Sequence, residues 1–141
     1  SIYKMDKIQE SEIETLLKMT NNESTQIITQ EFIEDIYEGD FRILIIHGKP
    51  FKKTLARIPQ GDSFKGNLAA GGKGVVKDIS DFQFEMASEI GDFLIQKDIN
   101  FAGIDVIGNF LTEINVTSPT CARQILDQSG ENPIQEYFEK L

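Results

Sequence analysis

Apolar runs and two-residue alternation dominate the middle of the chain. Residues 41–46 and 51–58 flank the turn-forming His47-Gly48-Lys49-Pro50, which predicts a β-hairpin. Residues 101–107 and 111–116 give a second pair of adjacent apolar strands, and residues 25–32 read as a further strand before an acidic connection from Glu34 to Asp40. Ser1 to Met5 alternates like a short strand as well. Elsewhere the period is helical. Ser11-Glu-Ile-Glu14 has the form of a capping box opening a helix near 12–19, with Ile13, Leu16 and Leu17 on one face. Ser80 is placed to cap a helix near 81–97, in which Phe82, Met86, Ile90, Phe93 and Leu94 recur at three- and four-residue spacing and are assigned to the core. A short helix follows from about Ala122, and a last one has Asn132 as cap and Pro133 at its first position. The expected fold is α+β: an antiparallel sheet with the helices near 12–19 and 81–97 packed on one face and the other face left for a ligand.

The second hairpin carries candidate chemistry. Asp105, Glu113 and Asn115 offer hard oxygen donors, and one or two carboxylates together with substrate phosphates is the usual arrangement when Mg²⁺ works on a nucleotide. Glu113 and Asn115 are two residues apart and share a face. Asp105 joins them only if paired residue numbers sum to an even value, as an odd-length loop such as Gly108-Asn109-Phe110 provides. Asp105 then lies opposite Glu113, and Ile104, Val106, Thr112 and Ile114 fall on the core face. An ordinary amphipathic hairpin with a solvated acidic face has the same pattern, so pattern alone leaves both readings open.

Composition narrows the ligand. The 141 residues, 40% hydrophobic and 26% charged, suffice for one domain with a core. With 23 acids against 14 bases and a formal charge of −9, a nucleic-acid partner is disfavoured. Only the stretch from Lys49 to Lys77 runs basic, through Lys52, Lys53, Arg57, Lys65 and Lys73 with Arg42 just upstream, which suits a small phosphate-bearing ligand. No apolar run approaches the roughly 18 residues of a membrane span and no signal-peptide pattern is visible, so the chain reads as soluble and cytoplasmic, without a membrane partner. A single cysteine, Cys121, excludes an internal disulfide and a Cys-rich zinc site, and reads as a small buried residue at a helix start. The only histidine, His47, reads as an exposed turn residue.

Residues 59–74 show no periodicity but hold five glycines, Gly61, Gly66, Gly71, Gly72 and Gly74, interleaved with Gln60, Lys65, Asn67 and Lys73. Loops of this length inside compact domains are usually functional, and glycines let backbone amides turn toward an anion. The Walker-type spacing is absent, and a flexible linker is the alternative.

At this point the residues are more specific than their pattern. Leu55-Ala-Arg-Ile-Pro-Gln-Gly61, Gly66-Asn-Leu-Ala-Ala-Gly-Gly-Lys-Gly74, Gly103-Ile-Asp105 and Leu111-Thr-Glu-Ile-Asn-Val-Thr-Ser-Pro-Thr120 resemble, in order, the consecutive signatures of the prokaryotic glutathione synthetases, a family of ATP-grasp ligases. The resemblance runs from Ser1 to about Arg123 and loosens beyond it. It implies condensation of γ-glutamylcysteine with glycine, driven by ATP through an acyl phosphate and dependent on Mg²⁺ (or Mn²⁺). Asp105, Glu113 and Asn115 resemble the metal ligands. Gln30, Glu31, Phe32 and Ile33 resemble the hinge strand that meets adenine, and Asp40 the ribose-side acid. Arg42 and Arg57 resemble the catalytic arginines that contact the peptide substrate or its acyl phosphate, a task suited to planar guanidinium forks. Lys65, Gly66, Asn67, Gly71 and Gly72 belong to the segment resembling the mobile loop, residues 59–74, that closes over the reaction, and Ser118 and Thr120 to a substrate-binding turn. The resemblance also implies a homo-oligomer when full length.

Two departures stand out. Lys65 occupies a position where the family typically has Arg, keeping the charge but losing the bidentate fork. The chain also begins where the family's glycine-rich phosphate-covering segment has just ended. Residues 1–141 are therefore expected to be the C-terminal portion of the ATP-grasp domain, lacking the N-terminal substrate domain and the first ATP-grasp half, and inactive alone. A non-catalytic nucleotide-binding or assembly module, or a different ATP-grasp carboxylate–amine ligase, are the rival readings.

Overall fold

The hairpin around His47 forms with a tighter turn than its sequence suggests. In the computed structural model, which describes residues 3–5 and 10–141, β1 (Asp40–Ile46) and β2 (Lys49–Ile58) are antiparallel and Ile46 pairs with Lys49. The loop is therefore His47-Gly48 alone, with φ of 46° and 76°. Two positive φ values in a two-residue loop twist the backbone in the sense that matches the flanking strands. Pro50, expected in the turn, lies in β2 opposite Ile45, before the stretch of β2 that pairs with the next strand, so its missing N–H costs the sheet nothing there.

That next strand is β3 (Lys73–Asp78), which pairs with β2 from Ile58↔Lys73 to Lys53↔Asp78. The glycine-rich loop thus ends at Gly72, not at the expected Gly74, and joins two neighbouring strands, the second of which the sequence did not suggest. Two more strands, β4 (Phe101–Ile107) and β5 (Phe110–Asn115), complete an antiparallel sheet of order β3-β2-β1-β4-β5. The strand expected over 25–32 does not form: residues 26–33 carry no regular element. Adjacent Ile27 and Ile28 would point to opposite sides of a strand, and Ile28 is 87% exposed; without a buried face, the segment has little to fix it in a sheet.

The chain divides into two compact units, Ser1–Phe32 and Ile33–Leu141. The first holds helix α1 (Glu10–Met19). Ser11 does not cap it. The helix already runs through Ser11, whose hydroxyl donates to Glu12 Oε2 at 3.0 Å, while Glu14 pairs with Lys18 at 2.7 Å. The alternation of Ser1–Met5 lies partly outside the described residues, and residues 3–5 carry no regular element.

The second unit is a sheet covered on both faces, not one. Helix α2 (Asp81–Ile95) lies over β1 and β2 and closes a cluster of Ile43, Ile45, Ala87, Leu94, Ala102, Ile104 and Val106. Its start follows expectation in full: Ser80 accepts from Gln83 N, and Gln83 Oε1 accepts from Ser80 N. Its buried face follows in part: Leu94 is buried and Met86 and Ile90 pack against the core as expected, but the two aromatics do not. Phe82 and Phe93 are 45% and 54% exposed, and the buried stripe is Gln83, Ala87, Gly91 and Leu94. The reason is close approach: a Cβ on Gly91 would come 2.2 Å from the carbonyl oxygen of Gly48, so the helix meets the hairpin turn through a residue with no side chain.

On the opposite face, α3 (Ala122–Ser129) and α4 (Pro133–Glu139) cover Leu44, Ile46, Phe51 and Leu55 together with Cys121 and Ile125. Cys121 is buried at the start of α3, as expected, and Asn132 caps α4 with Pro133 at its first position. His47 is not the exposed turn residue its neighbours suggest. Its ring stacks on Tyr137 at 4.9 Å, and its Nε2–H donates to the Tyr137 carbonyl at 2.9 Å, tying α4 to the β1–β2 turn.

Candidate functional site

Along β1, β2 and β4 the face that packs under α3 and α4 turns from apolar to ionic within two residues. Leu44 and Ile46 give way to Arg42 and Asp40 on β1, Leu55 to Arg57 on β2, and Phe101 and Gly103 to Asp105 on β4. The ladders bring these positions together: Arg42 lies opposite Leu55 on one side and Asp105 on the other, and Asp40 lies opposite Arg57. Asp105 in turn faces Glu113, and Gly103 faces Asn115.

The side chains form one ionic cluster. Arg42 forks onto Asp105, Nε to Oδ1 and Nη2 to Oδ2, the latter at 2.8 Å. Arg57 Nη2 donates to Asp40 Oδ2 at 2.5 Å and lies 2.8 Å from Asp105 Oδ2. Arg42, Arg57 and Asp105 are 4%, 7% and 4% exposed, so these are buried charges and not the surface ion pairs that two arginines on a hairpin would suggest. Glu113 stands at the open rim, 55% exposed, with Oε1 4.0 Å from Arg42 Nη2.

Burial and pairing shape the charges. Asp40 is pushed above the usual carboxylate range, first by burial, with Arg57 pulling the other way. Its Oδ1 is buried and has no hydrogen-bond partner among the described residues. The hydrogen bond to Asp105 raises Arg42. Burial is the largest influence on Arg57 and works against its charge, yet Asp40 and Asp105 together raise it. Both guanidiniums therefore stay protonated at any ordinary pH.

Glu113 and Asn115 reach this face by a route that differs in detail from the odd-length loop. The β4–β5 loop is the two-residue Gly108-Asn109, and Ile107 pairs with Phe110 and Val106 with Leu111. Continued unchanged, that register would put Thr112 opposite Asp105 and turn Glu113 to the core side. A bulge intervenes: the pairing resumes at Asp105↔Glu113 and Thr112 is the extra residue, its hydroxyl donating to the Asp105 carbonyl at 3.1 Å. The expected pairing of Asp105 with Glu113 is present, supplied by the bulge. Ile104 and Val106 are core as expected, whereas Ile114, on the edge strand, is 42% exposed.

Flanking segments close on the cluster. A Cβ on Gly103 would sit 3.0 Å from Arg42 Cδ and 3.1 Å from Pro119 Cβ, so Arg42 crosses β4 where any side chain would press on it. Thr120 Oγ1 accepts from Arg42 Nη1 at 3.4 Å, and Asn115 Oδ1 accepts from the backbone of Thr117 and Ser118 at 3.2 and 3.1 Å. From the glycine-rich loop, Gly66 is buried against the cluster; a Cβ there would lie 2.6 Å from the Arg57 carbonyl oxygen and 3.2 Å from Asp40 Cβ. Asn67 caps the short 3₁₀ turn Leu68–Ala70 and receives the Gly72 amide at 3.2 Å, while Gly71 takes φ 95°. Lys65 is half-buried and Gly66 to Gly72 fold back on themselves. Gln30, Glu31 and Phe32 belong to the first unit, Phe32 lying under Lys4 Nζ at 3.7 Å, and Ile33 opens the second.

Gly103 and Pro119 were not singled out by residue type, and Thr112, expected on the core face, is exposed at the bulge. A glycine inside an apolar strand signals close backbone approach and could have marked the first; nothing in the sequence announces the bulge. Among the described residues no three His, Cys, Asp or Glu side chains gather for a metal. The donor set here is two carboxylates and an amide oxygen on one face of two paired strands, which fits a hard divalent cation that completes its shell with ligand oxygens. No helix among the described residues is long and apolar enough to cross a membrane.

Comparison with known proteins bears on this geometry. Residues 1–130 match the family described as prokaryotic glutathione synthetase, ATP-grasp domain. The chain is 45% identical over 123 residues to the glutathione synthetase of Xylella fastidiosa (strain 9a5c), covering 87% of this chain and 39% of that protein. It is 50% identical over 120 residues to that of Nitrosomonas europaea, covering 85% and 37%, and 40% identical over 137 residues to that of Bordetella pertussis, covering 97% and 43%. The chain thus spans about two-fifths of the length of these relatives.

Proposed function

The chain belongs to the prokaryotic glutathione synthetase ATP-grasp domain family, and on that premise we propose that it is the C-terminal portion of a glutathione synthetase and supplies that enzyme's charge-handling wall. The assembled enzyme joins γ-glutamylcysteine to glycine, spending ATP through an acyl phosphate and releasing ADP and phosphate. The observation that carries this reading is the buried Arg42–Asp105–Arg57 fork with Glu113 and Asn115 on the same face. Phosphoryl transfer asks mainly for positioning and charge neutralisation, and this cluster offers both without any histidine.

In this mechanism Arg42 and Arg57 present planar forks to the carboxylate that is phosphorylated and then to its acyl phosphate. Asp105, Glu113 and Asn115 would hold Mg²⁺ or Mn²⁺, which would supply charge neutralisation at the nucleotide phosphates. Asp40 takes the ribose side, and the backbone of Gln30 to Ile33 takes adenine. Lys65, Gly66, Asn67, Gly71 and Gly72 form the loop that keeps water from the acyl phosphate, and Ser118 and Thr120 the turn that receives substrate. The remaining walls of the cleft come from outside these residues, so the 141-residue chain is expected to be inactive alone, and the whole enzyme to be a homo-oligomer.

Phosphate release tests the proposal. The chain alone with Mg-ATP, γ-glutamylcysteine and glycine is expected to give none, and its mixture with a separately produced N-terminal portion to give glycine-dependent release. Glu113→Gln in the active mixture is expected to lower turnover at least 100-fold, in line with the loss of one transition-state charge contact. Unchanged Mg²⁺ dependence in that variant would remove the site assignment.

A further inference from the structure

The metal assigned to Asp105 meets an obstacle inside the protein. Both oxygens of that carboxylate already accept from guanidinium groups, Oδ1 from Arg42 and Oδ2 from Arg42 and Arg57 at 2.8 Å each. The carboxylate is 4% exposed, so water cannot replace those donors if they leave. We propose that Asp105 reaches a cation only by arginine exchange: an anionic ligand that draws the forks of Arg42 and Arg57 onto itself releases Asp105, so anion and cation bind cooperatively.

Charge and geometry both favour the exchange. Two guanidiniums face three carboxylates, those of Asp40, Asp105 and Glu113, a net charge of −1 by that count. A divalent cation placed there changes the sign of the cluster and invites an anion, while an anion alone must compete with Asp105 for the same donors. Arg42 has somewhere to go. Its Nη2 already faces the open rim, 4.0 Å from Glu113 Oε1, where an anion bound beside the cation can take the fork, and Thr120 Oγ1 keeps Nη1 at 3.4 Å. Asp40 Oδ2 keeps Arg57 anchored at 2.5 Å when its contact to Asp105 is lost. The cluster is thus a set of donors and acceptors with a second pairing within reach, and the two pairings are selected by what is bound. This inference rests on the metal assignment above and adds an order to it.

The test uses Mn²⁺ alone as cation and sulfate as a tetrahedral anion, with chloride at equal ionic strength as control. Free Mn²⁺ counted by electron spin resonance gives the affinity of the chain in each salt. Sulfate is expected to tighten Mn²⁺ binding about five-fold or more, the lower range of ordinary coupling between sites, and Mn²⁺ to tighten sulfate binding by the same factor. Arg42→Lys keeps the charge but loses the fork, so it is expected to bind Mn²⁺ more tightly in chloride and to respond less to sulfate. In the parent protein, with Mg²⁺ replacing Mn²⁺, the Arg42 Nε–H proton resonance is expected to move when sulfate is added. Equal Mn²⁺ affinity in both salts, together with loss of binding in Asp105→Asn, overturns the exchange while the metal assignment stands. An unmoved Arg42 resonance overturns it as well. No Mn²⁺ binding in either salt, or binding unchanged in Asp105→Asn, overturns the metal assignment and the exchange together.

Discussion

The two ends of one sheet face are built by the same three strands and held by different forces. At one end Leu44, Ile46, Phe51 and Leu55 lie under α3 and α4. At the other, two residues along each strand, Arg42, Arg57 and Asp105 are just as buried but make directional, charged contacts. Apolar packing is forgiving of shape so long as volume is kept. An ionic cluster is not, because removing one member leaves its partners charged and out of water. The apolar end can fix the strands while the ionic end keeps alternative pairings, and that division lets a rigid sheet carry a site able to respond to ligands.

The comparison breaks first at Asp105. Asp105→Ala is expected to cost about 3–5 kcal/mol in urea unfolding, since it strands the buried Arg42 guanidinium and leaves Arg57 with Asp40 alone. Leu55→Ala, fully buried at the apolar end, is expected to cost a similar 2–5 kcal/mol or so. Conservative exchange separates the two ends. Leu55→Met should cost less than about 1.5 kcal/mol, whereas Arg42→Lys should recover little of what Arg42→Ala loses, because a single ammonium cannot replace the fork. A cost for Asp105→Ala of under about 1 kcal/mol would mean that the cluster behaves as a solvated surface pair.

How much of this was legible depends on which physical signal each element sends. The strands of both hairpins and the caps at Ser80 and Asn132 follow from local chemistry and were readable. So was the pairing of Asp105 with Glu113, although the bulge at Thr112 that produces it is a property of the pair of strands and leaves no mark on either. The strand Lys73–Asp78 was hidden because its glycine and lysines read as loop, while β2, its partner, decides otherwise. Phe82 and Phe93 were assigned inward by helical spacing, but the closeness of Gly91 to Gly48 selects the stripe through Gln83, Ala87, Gly91 and Leu94. Period-two reading distinguishes apolar from polar and nothing more, so it could not tell a buried arginine from an exposed one. The resemblance supplied the candidate residues, and the fold shows Arg42, Arg57, Asp40, Asp105, Gly66 and Thr120 meeting in one cluster.

The α2 face supplies a smaller and purely steric contrast. Gly91→Ala places a methyl 2.2 Å from the Gly48 carbonyl oxygen, and it is expected to cost about 1–3 kcal/mol by forcing the helix off the turn. Phe93→Ala on the same helix, more than half exposed, is expected to change stability by less. Thermal unfolding of the two variants side by side checks the order; a larger loss at Phe93 would mean that the aromatic positions, not the stripe through Gly91, hold the helix.

The subtlest contrast lies within the ionic cluster, between Asp105 with both oxygens paired and Asp40 with Oδ1 unpartnered. The folded-state pKa of Asp40 is raised above the ordinary 3.8, chiefly by burial and against the pull of Arg57. A raised carboxyl favours the fold in its protonated form. Its contribution is fully present below the unfolded pKa and is lost as pH rises through the folded one. Asp40→Asn, which cannot ionise, removes this dependence. The stability of the parent relative to Asp40→Asn is therefore expected to fall as pH rises from about 3.8 into the mildly acidic range, read from urea unfolding at a series of pH values. If the parent instead gains on the variant over that range, the attraction of Arg57 outweighs burial at Asp40.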